Sequence, residues 1–419
     1  MGLTEDLTEK LTGERPFLLD PTIRTSAEES ELLYEAGPVV RVELPGGVPA
    51  WAVTHDAPAR EVMRDSRFVK DIGQWGAWTR GEIPPDWPLI GLVDLGPSMV
   101  STDGPEHRRL RRPVAREFTP QRVEALRGRV EEITRELLDR TAEAASAEGA
   151  GGVVDLKDTF AFPLPITVVG ELFGMPTEWH RPLRKLYDSF FDDKAAPETV
   201  LATIQALYDY IARLVQLKRD EPGADLTSAL LSELGDEPSQ EAVEELIATI
   251  QVMITAGHET SVHVIVNAVR ALLDDPAQLD LIRTGRYSWD DVVEESLRLD
   301  APALNFLFRF ATEDIDVAGT LVRAGEGVVI SYGGMGRDRV QHGADADRFD
   351  IARRPRHSSF GHGPHSCPGS SLARLETTIA LRELFARFPG LRLADPDGPL
   401  ERSPSVIVNG HRALPVRLS

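Results

Sequence analysis

Apolar residues recur along this chain at two spacings, and the helical one covers more of it. Val39-Val40-Arg41-Val42-Glu43-Leu44, then Gly46-Gly47, then Ala50-Trp51-Ala52-Val53 predicts a β-hairpin. Residues 66–104 follow neither period. Trp75, Trp78 and Trp87 stand there among Gly73, Gly76, Pro84, Pro85, Pro88 and Gly91, which predicts an irregular but ordered segment. From Glu106 onward the three-to-four spacing of a helix face takes over. Asp103-Gly104-Pro105-Glu106 reads as a helix start with proline at the first position. Further helices are predicted over 120–147 and 157–173, separated by a Gly149–Gly152 turn, and over 176–191 and 197–220. Residues 239–271 form one long apolar-rich run opened by Ser239-Gln240-Glu241-Ala242. Unbroken, it would span about 50 Å at 1.5 Å per residue. A helix near 289–299 precedes short strands over 306–330, with turns at Ala318-Gly319 and Ala324-Gly325. The fold class is mainly α with small β-sheets.

At 419 residues, two lobes are the default. A hydrophobic content of 42% and a mean hydropathy of −0.21 are ordinary for a soluble enzyme. The polar, acidic start (Met1-Gly2-Leu3-Thr4-Glu5-Asp6) predicts no signal peptide or membrane anchor. A net charge of −21 argues against nucleic acid as the main partner.

Cys367 is the only cysteine in the chain. It lies in Phe360-Gly361-His362-Gly363-Pro364-His365-Ser366-Cys367-Pro368-Gly369, just before a helical run from Ser370 to Phe388. A helix N-terminus and nearby arginines lower a thiol pKa, so a thiolate is expected. One thiolate builds neither a disulfide nor a four-cysteine metal site, but it can be the axial ligand of a haem. Gly361, Gly363 and Gly369 would let the backbone approach the macrocycle. The alternative is a buried structural cysteine beside a glycine turn.

Three further groups stand out, each with a plainer alternative. Ala256-Gly257-His258-Glu259-Thr260-Ser261 places weak helix formers in mid-helix. The Thr260 hydroxyl would bond a backbone carbonyl there, and Thr260 and Glu259 would handle protons; otherwise this is a small-residue packing patch. Glu295 and Arg298, three apart, share a helix face and can pair, as many solvated pairs do. His107 and Arg111, four apart, could clamp carboxylates or form a solvated basic face.

In this order and spacing the four groups resemble the cytochrome P-450 haem-thiolate monooxygenases. The likeness covers essentially the whole chain. Phe-Gly-x-Gly-x-x-x-Cys-x-Gly is its most specific motif. The chain is most similar to soluble bacterial, actinobacterial members that oxidise steroids or macrolactones. The resemblance implies one catalytic domain over 1–419, with a helix-rich lobe and a smaller β-rich lobe around a buried haem b. It makes Cys367 the iron ligand within a loop framed by Phe360, Gly361 and Gly369. His107, Arg111, Arg309 and His365 would bind the propionates. Glu295, Arg298 and Arg348 would form a structural ion-pair network, and Thr260 and Glu259 the distal alcohol–acid pair. Pro368 has no N–H, so the sulfur would rely on Gly369 and later amides; fewer donors would lower the iron potential.

The implied activity is insertion of one oxygen atom of O2 into a bulky hydrophobic small molecule in the cytoplasm. Electrons would come from a separate ferredoxin and its reductase. Arg108, Arg109, Arg112 and Arg116, with Arg353, Arg354 and Arg356, would form an acidic-partner docking patch or be ordinary solvated arginines. Leu89, Leu92, Val93, Ala256, Leu304, Phe306 and Ile407 are the expected substrate lining, capped by Phe190 and Phe191. Epoxidation and oxidative coupling are alternatives on the same fold. A peroxide-driven peroxygenase is disfavoured by the intact alcohol–acid pair. A non-catalytic haem protein or carrier-recruitment module is the alternative of a different class.

Overall fold

The computed structural model describes residues 16–147, 152–235 and 237–419. Most of the expected Gly149–Gly152 turn and the N-terminal segment lie outside the described residues. The helices that place the site are α1 (Asp56–Arg64), α2 (Gly104–Glu117), α3 (Arg127–Ser146), α4 (Pro163–Phe173), α5 (His180–Phe190), α6 (Pro197–Asp220), α7 (Gln240–Asp274), α8 (Trp289–Leu299) and α9 (Ser370–Arg387). The strands are β1 (Phe17–Leu18), β2 (Val39–Leu44), β3 (Val48–Val53), β4 (Phe68–Val69), β5 (Val153–Asp155), β6 (Asn305–Ala311), β7 (Ile315–Val317), β8 (Thr320–Val322), β9 (Gly327–Ser331), β10 (Arg392–Leu393) and β11 (Pro415–Arg417).

α7 is continuous over 35 residues, capped by the Ser239 side chain, and outlasts its predicted end by three residues. α9 packs against α3, α7 and α8, so the helix that follows the cysteine is seated on the long helix and on the one carrying Glu295. The predicted 120–147 helix breaks at Leu126 into Pro120–Ala125 and α3. The 157–173 helix starts as a five-residue π-turn, Lys157–Ala161, before α4.

The main sheet runs β1-β2-β3-β9-β6-β4. The β2–β3 hairpin is the predicted one, with Arg41 opposite Trp51. In β6 the register against β9 shifts between Phe306 and Arg309. One extra residue there reverses which side chains face inward, and Arg309 is buried behind it. The irregular 66–104 segment is pinned to this sheet by its tryptophans. Trp75 and Trp87, each 1% exposed, meet edge to face at 5.7 Å, and Trp75 stacks on Phe310 at 5.2 Å.

Glu295 and Arg298 on α8 are both fully buried. Arg298 pairs with both Glu295 oxygens at 2.8 and 2.6 Å and donates to the carbonyls of Gly336, Ala346 and Arg348. Glu295 also accepts from the Asp350 amide at 2.9 Å and lies 3.4 Å from the Arg353 guanidinium. The expected role of the Arg348 side chain is therefore corrected. Arg348 enters through its carbonyl, and the second guanidinium comes from Arg353, which also reaches Asp345 at 3.0 Å. Replacing Arg298 by Leu, which strands the Glu295 charge, should destabilise the protein by about 3–5 kcal/mol. Arg353→Leu should cost less and Arg348→Ala within about 0.5 kcal/mol of nothing. Urea midpoints of the three variants check the order.

Glu376 on α9 is 1% exposed, and its Oε1 has no hydrogen-bond partner. Burial alone pushes its carboxyl up to about 8. An acid raised on folding is stable in the fold while neutral. Its penalty is absent below about pH 4.5, grows as pH rises toward 8, and levels off above. The full span is on the order of 4 kcal/mol. Glu376→Gln should flatten the loss of stability between pH 5 and pH 8 in urea unfolding. An unchanged slope would show that the carboxylate has an internal partner.

A candidate haem site

The cysteine loop is closed by its own backbone. The Cys367 amide donates to the Phe360 carbonyl at 2.7 Å, Gly361 to Ser358 at 2.7 Å, and Ser366 to Gly363 at 3.1 Å. Gly361 and Gly363 sit at φ 74° and 75°, a region that other residues enter with strain. A Cβ on Gly363 would also lie 3.0 Å from the Met63 carbonyl and the Arg64 side chain of α1. Gly369 differs. Its φ is −83°, and it contributes its amide, which bonds the Cys367 sulfur. Pro368 offers no amide there, as the sequence implies.

Cys367 keeps exposed surface yet is surrounded by protein on most sides. Burial pushes its thiol up, outweighing the Gly369 amide and the Arg111 and Arg374 charges that pull it down. The expected lowering is thus corrected, because desolvation of the anion exceeds the help from its neighbours. A metal cation on the sulfur would deprotonate it outright.

Beside this loop the chain gathers arginines and histidines, and burial pushes His107 down and His365 down to about 4. Arg111 donates to the Ser366 carbonyl at 2.5 Å. The His107 and His365 rings lie 4.3 Å apart. Arg309 reaches the Met63 and Phe68 carbonyls at 3.2 Å each. His107 Nε2 and Arg309 Nε are buried without partners. Buried nitrogens without partners are what carboxylates satisfy, so these residues fit the propionates of a haem. Two members of this cluster escaped the sequence reading. Asp103 pairs with His365 at 3.0 Å and accepts the Lys70 amide at 2.6 Å. Lys70 is buried, donates to the Phe308 carbonyl at 2.5 Å, and is pushed down to about 7 by burial and by Arg309. No short-range pattern joins positions 33 and 262 residues apart in the chain.

On α7, Ala256 is exposed next to the buried run 252–255, and Thr260 lies one turn on. The Thr260 hydroxyl donates to the Ala256 carbonyl at 2.6 Å, as expected of a mid-helix threonine, without breaking the helix. Glu259 turns along the helix to His263, 2.8 Å away. Burial opposes its charge. The His263 hydrogen bond, with His263, His258 and Lys157 close by, outweighs that and holds the carboxyl at about 2. The His263 partner was legible as an i, i+4 pair but was passed over.

The expected substrate lining divides. Leu92 and Val93 lie on a short turn whose Gly91 is pressed by Phe190 and Ile204 from above. Phe190 and Phe191 meet edge to face at 5.1 Å. Leu304 and Ile407 are brought together by a hydrogen bond of 2.6 Å from the Leu304 amide to the Ile407 carbonyl. Phe306 is half-buried. Leu89, Leu92, Val93, Leu304 and Ile407 are all buried, Leu89 and Leu304 most deeply at 1% exposed, and the Leu304 side chain lies against Gly333.

The arginine patch is largely spoken for. Arg109 pairs with Glu106 and Glu245, Arg116 with Glu233, Arg353 with Glu295 and Asp345, and Arg354 with Asp291. Arg108, Arg112 and Arg356 have no ion pair among the described residues. The first two edge a groove of about 580 Å³ between α2 and the start of α7. Among the described residues no helix is long and apolar enough to cross a membrane.

A family model described as cytochrome P450 matches residues 289–409. 2-Hydroxy-5-methyl-1-naphthoate 7-hydroxylase of Streptomyces carzinostaticus is 38% identical over 96% of this chain and 97% of its own. 6-Deoxyerythronolide B hydroxylase of Saccharopolyspora erythraea is 37% identical over 94% and 95%. The structure of CYP154C4 from Streptomyces sp. ATCC 11861, described as "Testerone bound", is 47% identical, covers 97% of this chain and 99% of its own, and superposes with a TM-score of 0.92. With a cysteine loop and a neighbouring arginine–histidine cluster that suit a haem, and likeness of this extent along its whole length, the chain belongs to the cytochrome P450 family of haem-thiolate monooxygenases.

Proposed function

We propose that this enzyme hydroxylates a bulky, mainly apolar small molecule of steroid, macrolactone or other polyketide-like kind, as one catalytic domain over 1–419 working in the cytoplasm. The observation that carries the reading is the accessible Cys367 sulfur, held in a glycine loop with the Gly369 amide on it and Arg111 close by, in a chain whose long helix α7 also leaves Ala256 exposed and Thr260 half-exposed at its middle. The relatives' names point the same way: a naphthoate hydroxylase, a 6-deoxyerythronolide B hydroxylase and a vitamin D(3) 25-hydroxylase. A mycinamicin IV hydroxylase/epoxidase among them keeps epoxidation as the second reading.

In this reading Cys367 holds the iron of haem b, and His107, Arg111, Arg309 and His365 take the propionates. Haem held by a thiolate supplies the oxygen-activating chemistry, the thiolate pushing electron density that favours O–O cleavage. The protein's part is position and protons. Thr260 can release the Ala256 carbonyl and hold a water or hydroxyl on the distal side, while Glu259 feeds protons to it. Leu92, Val93, Ala256, Phe306 and Ile407 keep water out and orient the substrate. Electrons come from a ferredoxin and its reductase, and the unpaired Arg108 and Arg112 offer its acidic face a landing point.

Titrating the purified ferric protein with steroids, macrolactones, fatty acids and aromatic polyketides should give a saturable low-spin to high-spin shift with one class. Fatty acids alone producing it would overturn the substrate reading. Thr260→Ala should keep the thiolate-type reduced carbonyl spectrum, which Cys367→Ala should lose. It should also lower product formed per electron pair by about tenfold or more, with peroxide rising to match. Coupling equal to wild type would remove Thr260 from the proton path.

A further inference from the structure

His263 is the one residue hydrogen-bonded to the Glu259 side chain among the described residues, and nothing in the alcohol–acid pattern requires it. The two lie one turn apart on α7, His263 fully buried and the Glu259 side chain 13% exposed. The other ionisable groups around them make no such bond. His258 Nδ1 stands 3.7 Å from Glu259 Oε2, its ring held between Phe162 and Tyr187. Lys157, from the π-turn, gives its ammonium to the His411 carbonyl at 2.9 Å. From α5, Asp188 and Arg184 act only through charge, Arg184 being bound to Asp158. His411, on the C-terminal turn, lies 3.0 Å from Arg270.

The imidazole is itself held in place. A Cβ on Gly410 would fall 1.7 Å from His263 Nδ1, so only glycine lets the C-terminal turn close against this ring. Burial keeps His263 neutral, and Glu259 stays ionised, so the shared hydrogen sits on Nε2 and His263 is the donor. The carboxylate consequently rests along the helix axis, toward its C-terminal half. It must leave His263 before it can serve Thr260.

We propose that His263 is a positioning residue, which fixes both the resting orientation and the ionised state of the distal acid Glu259. The inference rests on the alcohol–acid reading of Thr260 and Glu259. Without the imidazole, Glu259 keeps its desolvation and loses the one side-chain hydrogen bond it has among the described residues, so desolvation drives its carboxyl upward into the working pH range. Lys157 and His258 then remain close by to favour its charge.

The experiment compares His263→Leu, His263→Gln and Glu259→Gln as holoenzymes with intact reduced carbonyl spectra. Two readouts are taken between pH 6 and 8: electron coupling to product, and the infrared band of protonated carboxyl groups, which needs no turnover. Wild type should be flat in coupling, with no Glu259 contribution to the band. His263→Leu should show the band at the acid end, absent from the His263→Leu/Glu259→Gln double variant, and a coupling change of about threefold or more across the range. His263→Gln places an amide N–H near the position of Nε2–H and should restore both. A flat coupling profile and no band in His263→Leu would overturn the proposal. So would failure of Gln to rescue, since the imidazole would then be carrying protons itself. If Glu259→Gln couples like wild type while the band still responds to His263, the acid role of Glu259 fails and the positioning stands.

Discussion

Glu295 and Arg298 occupy one turn of α8 with no exposed surface, and the placement of the cysteine loop depends on their pairing. An isolated charge in that position would be costly; together, with three carbonyls and an amide closing the remaining valences, the two are satisfied. The carbonyls come from residues 336, 346 and 348, and the amide from Asp350, so the ion pair gathers the irregular stretch that leads to the cysteine. Ser359 then bonds the Leu297 carbonyl, and Arg374 bridges Glu294 on α8 to the face of Phe360. The loop around Cys367 has little regular structure of its own and takes its shape from these bonds.

Desolvation recurs through the molecule, and its outcome is set by what each buried group touches. Glu376 has no helper and is pushed up; Lys70 has one carbonyl and a repelling Arg309 and is pushed down. Cys367 has an amide and two arginines, too little to offset its burial. Glu259 alone among these reverses the trend, because an imidazole N–H meets it at 2.8 Å. Glu294 and Asp103 are likewise held low by histidine and arginine or amide partners, so a carboxyl in this fold stays ionised where such a partner meets it.

Much of the architecture was legible because it is local. The hairpin at residues 39–53, α7 with its Ser239 cap, and the turns at Ala318-Gly319 and Gly325 follow from period and turn chemistry. The breaks at Leu126 and at the π-turn did not, since the apolar period runs through both. Of the site, the cysteine loop, His107, Arg111, Thr260 and Glu295–Arg298 were readable as motifs. Arg353 was not, because which guanidinium reaches Glu295 depends on how residues 343–353 wind, and Arg348 is the nearer motif by sequence alone.

The sequence by itself determined the class of cofactor chemistry and the family. A lone cysteine in a glycine loop, an alcohol–acid pair in mid-helix and a Glu-x-x-Arg turn are short patterns whose meaning lies in spacing. Only the tertiary structure decided which way each ionisable group leans. A β-bulge turns Arg309 inward, Gly410 presses against His263, and Lys70 and Asp103 join the arginine–histidine cluster from a distant segment. Charge state depends on burial and on partners brought from far along the chain, and neither is a property of a residue's neighbours in sequence.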